Sequence, residues 1–283
     1  YSWDKYEKGD PSFLFEVLPR IAMKQGELGT VLGLGTGTML EKWSLSEEDW
    51  KKDRHLNYWK MGHPRHHSSE EGSQCGVIIN TQYNRDAQCH SQTNFNRNGL
   101  PLEIQKRLAE EIWGTPDAVD AVGAYTPMNA GKARMAKWCL LRKELHDSIA
   151  LCNWSGPWVA SPLKERGYRG DDSIESALYS LATGDRKNRE DLDLVAERIF
   201  VLHRALTLRD MGTRDMRSLH DTVPDWVFQD EEGRAPFTKG STVMGRDDVR
   251  LALELYYKEM GWDTAGGAPT AKTYRRLGLT GVS

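Results

Sequence analysis

The sequence predicts a mostly α, multi-helical protein with few or no strands. Apolar residues recur at steps of three and four over long stretches, helix-stopping residues stand where those stretches end, and almost nowhere do polar and apolar residues alternate at the step of two that a half-buried strand needs. In chain order, "PSFLFEVLPRIAMKQG" at 11–26 reads as a helix that Pro11 opens, since proline in a first turn gives up only an N–H without an intrahelical partner. "CGVIIN" at 75–80 is the best strand candidate, and it is short. A second helix begins near Gly131, carries Met135, Trp138, Cys139, Leu141 and Leu145, and is expected to run to about Ser148. A third starts at Asn188, with Leu192, Val195, Ile199, Leu202 and Leu206 on one face. The last starts at Arg246, carries Val249, Ala252, Leu253, Tyr256 and Met260, and ends at Gly261. "GTGT" at 35–38, the polar 62–74 region, "NFNRNGLP" at 94–101, "SGPW" at 155–158 and "GGAPT" at 266–270 mark loops.

Composition narrows the function classes. With 283 residues, 28% charged and 39% apolar, the chain has material for one large domain or two smaller ones. A net charge of −3 gives no reason to expect nucleic acid or an anionic membrane as partner. No apolar run approaches the roughly 20 residues of a membrane span. The opening "YSWDKYEKGD" is polar throughout and does not read as a secretory signal. Its Tyr1 start suggests a chain cut from a longer protein. Cysteines at 75, 89, 139 and 152 form no CxxC pair, which suits a reducing cytoplasm where thiols stay reduced or bind metal. Ten tryptophans suit either a sealed cofactor or a large helical core.

Several motifs invite chemistry. "GELGTVLGLGTGTM" has glycines at 33, 35 and 37 but Thr38 where a dinucleotide fingerprint needs a third glycine spacing, and no Walker lysine-serine pair, so a glycine-rich turn is favoured. "HPRHHSSEE" at 63–71 gathers His63, His66, His67, Glu70 and Glu71, residue types that bind zinc or iron, yet without an HExxH arrangement; a pocket lining is the other reading. Cys89 and His90 are sequence neighbours and so diverge on regular backbone, leaving His90 as a proton donor or acceptor or a structural histidine. "LHDSIALCNW" at 145–154 is the sharpest case. Asp147 falls in the last turn of its helix, where the negative end of the dipole disfavours a carboxylate, so a partner such as the N–H groups of a ligand is expected. On a continuous helix Asp147 and Cys152 would point about 140° apart; they can serve one ligand only if the helix stops between them. A surface aspartate beside a structural cysteine is the alternative on spacing alone.

The order Asp147-x-x-x-Leu151-Cys152 resembles the second pterin-binding motif, DxxGLC, of the aldehyde ferredoxin oxidoreductase family of tungsten enzymes. "RIFVLHRALTLRDMG" at 198–212 resembles that family's long C-terminal helix, "LELYYKEMGWDTAGGAPTAKTYRRLGL" at 253–279 its closing segment, and "NRDAQCH" at 84–90 a stretch that supplies an active-site histidine. The resemblance implies that Asp147 hydrogen-bonds a pterin, Leu151 offers backbone contacts, Cys152 is one of four ligands of a [4Fe-4S] cluster, and His90 is catalytic. It implies a tungsten (or molybdenum) bis-pterin, a small-molecule substrate, and ferredoxin or an iron-sulfur electron-transfer subunit as acceptor. It also implies the C-terminal helical domains of the subunit, with 1–57 ending the middle domain and 58–283 forming the last. The sequence departs from the family pattern in carrying Ala150 for glycine and Gln92 where a basic residue is expected. The other cluster cysteines and the first pterin motif are not in it, so the N-terminal part of its own subunit is an expected partner. Aldehyde oxidation in the cytoplasm is the implied activity. The alternatives are reduction of aromatic thioesters, a non-catalytic helical docking module of the same fold, and a zinc hydrolase built on His63, His66 and His67.

Overall fold

Helices dominate the computed structural model, which describes residues 1–45, 73–82, 99–152, 159–229 and 233–282. In chain order they are α1 (Trp3–Glu7), α2 (Ser12–Ala22), α3 (Gly26–Gly33), α4 (Thr36–Lys42), α5 (Gln74–Gln82), α6 (Leu102–Trp113), α7 (Ala130–Ser148), α8 (Ile174–Thr183), α9 (Arg189–Met211), α10 (Met216–Leu219), α11 (Arg246–Met260) and α12 (Ala271–Arg276). Among the described residues the strands are two-residue pieces, β1 (Thr238–Lys239) and β2 (Thr242–Val243), paired antiparallel. The mostly α expectation holds. The chain divides into two compact units, Tyr1–His66 and His67–Ser283.

In the first unit α2 packs on α3. Pro11 is the N-cap of α2, as the sequence predicts. The glycine-rich stretch is no loop at its start: Gly29 and Gly33, one turn apart, lie inside α3. A Cβ at Gly29 would stand 2.6 Å from the Arg20 carbonyl oxygen, and one at Gly33 2.7 Å from that of Ile21. These glycines let two backbones touch. Gly35, expected in a loop with the rest of "GTGT", is the N-cap of α4, at φ 89°.

In the second unit α7 is the central helix, with α5, α6, α9 and α11 packed around it. Its start is set by Asn129, whose side chain accepts a hydrogen bond from the Lys132 N–H, the standard satisfaction of an orphan donor. Eight successive residues, Cys139 to His146, are buried. α5 is also buried over its whole length, from Gln74 to Gln82. The expectation of a strand at 75–80 is therefore overturned: a segment buried on every side shows an apolar run without a helical period, and such a run looks alike in a strand and in a core helix. α9 begins at a capping box of Asn188 and Asp191, and α11 ends at Gly261, φ 67°. The buried face of α11 holds Val249, Ala252, Leu253, Tyr256 and Met260, as predicted, and Tyr257 as well.

A charged group lies in the core where α9, α11 and the turn 262–269 meet. Arg204 forks onto Asp221, Nη1 to Oδ1 at 2.8 Å and Nη2 to Oδ2 at 2.5 Å, and donates from Nε to the Gly267 carbonyl at 3.1 Å. The hydroxyl of Tyr257 donates to Asp221, and His220 Nδ1 lies 2.6 Å from the same carboxylate. Burial, then the Asp221 charge, push the Tyr257 hydroxyl well above its ordinary pKa, so it stays a donor. α9 and α11, which this group joins, both pack on α7, whose C-terminal end carries the site described next.

Candidate functional site

The C-terminal end of α7 answers the question that Asp147 and Cys152 raise. The helix stops at Ser148, with Ile149 as C-cap. Ala150 follows at φ 57°, in the left-handed region. The Leu151 N–H then turns back to the His146 carbonyl at 2.9 Å, and the Ile149 N–H to that of Leu145 at 3.0 Å. The first of these is the six-to-one bond of a Schellman-type stop, which satisfies a carbonyl that the helix leaves open. The chain thus leaves the helical path between Asp147 and Cys152, meeting the condition the spacing imposes. Cys152 is exposed just beyond the turn, and Leu151 is half-buried.

Position 150 takes a conformation that glycine adopts more easily than alanine. A left-handed residue with a Cβ costs roughly 1 kcal/mol or more relative to glycine. The turn forms in this chain with that strain retained.

Asp147 has a protein partner that the sequence reading did not foresee. Lys143 Nζ lies 2.5 Å from Asp147 Oδ1, with the lysine side chain 7% exposed and the aspartate 34%. The ammonium opposes the unfavourable helix-end field at Asp147. One residue along, buried Glu144 accepts from His203 Nδ1 at 3.1 Å. That bond holds the imidazole pKa above its ordinary value, with the Asp147 charge adding to the effect. On the inner side His146 Nε2 lies 3.0 Å from Glu175 Oε1, and Arg142 pairs with Glu175 at 3.4 Å and with Asp193. Burial works to raise the Glu175 carboxyl pKa; the His146 hydrogen bond and the Arg142 charge outweigh it and keep the group below its usual range. Charges that would be too costly alone in the core are thus paired. The sequence signal was the run "RKELHD" at 142–147, but a run of charges gives no cue that the helix bearing it is buried.

The remaining site expectations divide in two. His90, with Cys89 and Gln92, lies outside the described residues, as do His63, His66, His67, Glu70 and Glu71. Trp138 stands nine residues before Asp147 and so about 14 Å up the helix axis. It packs edge-on against Trp113 at 5.7 Å, in a cleft of about 640 Å³ that Leu141 and Glu197 also line. Cys75 and Cys139 are core residues, 1% exposed each, and burial, then a hydrogen bond with Cys75, push the Cys139 thiol well above its ordinary pKa.

The donor set can be tested against the expected cofactors. Among the described residues no group of three or more histidine, cysteine or acidic side chains is placed to hold a metal ion. An iron-sulfur cubane takes about four protein ligands, so these residues fit one corner of a cluster and no more. That corner has suitable chemistry: an exposed thiol on a turn, one turn of chain past a solvent-facing carboxylate. None of the described helices is long and apolar enough to cross a membrane. Residues 3–279 match the family model described as aldehyde ferredoxin oxidoreductase, domains 2 and 3.

Proposed function

The chain belongs to the aldehyde ferredoxin oxidoreductase family, and from that premise we propose that it forms the C-terminal wall of a tungsto- or molybdopterin site that oxidises aldehydes to carboxylic acids. The observation that carries the proposal is the turn at the end of α7: an aspartate, a left-handed stop and an exposed cysteine in the order the family motif requires. In the overall reaction an aldehyde and water become a carboxylic acid, two electrons and two protons. The pterin-bound metal supplies the two-electron redox chemistry when bound.

The chain's own residues have the following parts. Asp147 accepts hydrogen bonds from the ring N–H groups of one pterin, and the backbone at Leu151 borders it. Cys152, as thiolate, is one ligand of a [4Fe-4S] cluster, and the N-terminal part of the subunit supplies the others. A cluster held there would supply single-electron transfer to ferredoxin or an iron-sulfur subunit. His90 moves a proton at the substrate.

Elemental analysis of the intact subunit tests this. About four irons with one tungsten or molybdenum per chain is the expected result. A chain with neither heavy metal and little iron overturns the cofactor assignment.

A further inference from the structure

Lys143 is a buried cation whose ammonium pairs within its own helix. Its neighbours on α7 are used in packing: Arg142 reaches Glu175 and Asp193, and Glu144 reaches His203. Lys143, 7% exposed, instead directs its ammonium along its own helix to Asp147 Oδ1, 2.5 Å away. Burying an ammonium is costly unless a counter-charge is close, and the counter-charge here is the carboxylate assigned above to the pterin. The pair spans one helical turn, the spacing at which side chains stack on one face. The lysine sits on the buried side of that face and the aspartate at its solvent edge. A long side chain immobilised by burial fixes the orientation of what it binds.

We propose that Lys143 is a positioning residue for the pterin, clamping one oxygen of Asp147 so that the carboxylate meets the ring N–H groups already oriented beside the Ala150 turn. This rests on the reading of Asp147 as a pterin-binding residue. It goes further by assigning a role to a residue outside the Asp147–Cys152 motif. Preorganisation of this kind raises affinity by removing the ordering that binding would otherwise demand.

The test uses the full-length protein, reading pterin and tungsten or molybdenum per chain after gel filtration, with thermal unfolding alongside. Lys143→Met should retain several-fold less pterin and metal than the native protein while unfolding at a similar temperature. Lys143→Arg, which restores a cation of similar reach, should recover most of the loss. Asp147→Asn should lose cofactor at least as strongly, and the double variant K143M/D147N should lose no more than D147N alone. Should K143M fail to fold, Lys143→Gln takes its place, with an intermediate loss expected. Native cofactor content in K143M or K143Q, with D147N depleted, overturns the clamp and leaves the Asp147 assignment standing. Native content in D147N overturns the Asp147 assignment and the clamp with it.

Discussion

At the scale of single residues, the site is decided by Asp147, Ala150 and Cys152, side chains with different duties. Ala150 holds the left-handed turn that separates Asp147 from Cys152. Relief of its Cβ strain, offset by the greater freedom of glycine in the unfolded chain, should make Ala150→Gly more stable by about 0.5–1 kcal/mol. Thermal or denaturant unfolding checks this, and a loss of stability would mean that the turn does not hold in solution. His203 makes a pH-dependent contribution. Its pKa is raised in the folded state by Glu144, so its stabilising effect is fully present below the ordinary value of 6.5 and fades as pH rises through the raised one. The side chain is more than half exposed, so solvent limits the effect to a few tenths of a kcal/mol. His203→Ala should therefore lower the unfolding temperature at pH 6 more than at pH 9; an equal or reversed difference counts against the pairing. The helix stop between Asp147 and Cys152 was legible in the sequence because a cap is local chemistry. Lys143 was not, since nothing in "RKELHD" distinguishes a lysine aimed at an aspartate from one in solvent.

At the scale of elements, period and caps predicted helices well and the faces of those helices less well. The ends at Asn188, Ser148 and Gly261 stand where the sequence puts them, because caps are local chemistry. α9 is instructive. The sequence period places its apolar stripe at Leu192, Val195, Ile199, Leu202 and Leu206, yet Leu202 and Leu206 are exposed, while Ala196, Glu197, Phe200, Arg204 and Ala205 are buried. The true face is rotated because it carries two paired charges, Glu197 with Arg276 and Arg204 with Asp221, which a hydrophobicity pattern counts as outside. α5 fails in the opposite way, its complete burial erasing the period altogether. The glycines of α3 give an element-scale prediction. Gly29→Ala would put a methyl group against the Arg20 carbonyl, 2.6 Å from its Cβ, and should cost about 1–3 kcal/mol through forced separation of α2 and α3. An unchanged unfolding midpoint would contradict that close approach.

At the scale of the whole molecule, the mostly α class followed from pattern alone, whereas the long-range joints did not. The core group of Arg204, Asp221, His220 and Tyr257 ties α9 and α11 to the turn at Gly267 through residues up to 63 positions apart. Gly267 has φ 73°, and a Cβ there would stand 2.6 Å from the Tyr257 ring. Gly267→Ala should thus destabilise by about 2–4 kcal/mol, adding backbone strain to overpacking, and a near-native unfolding temperature would refute the joint. α9 and α11, which this core joins, both pack on α7, the helix whose end carries the site. The central claim, that the end of α7 is one wall of a redox centre, is tested most directly by Cys152→Ala in the intact subunit. The measurement is iron per chain together with the paramagnetic signal of the reduced protein. The account predicts loss of most cluster iron and of its signal with the helical content unchanged; full iron content and an unaltered signal would contradict it.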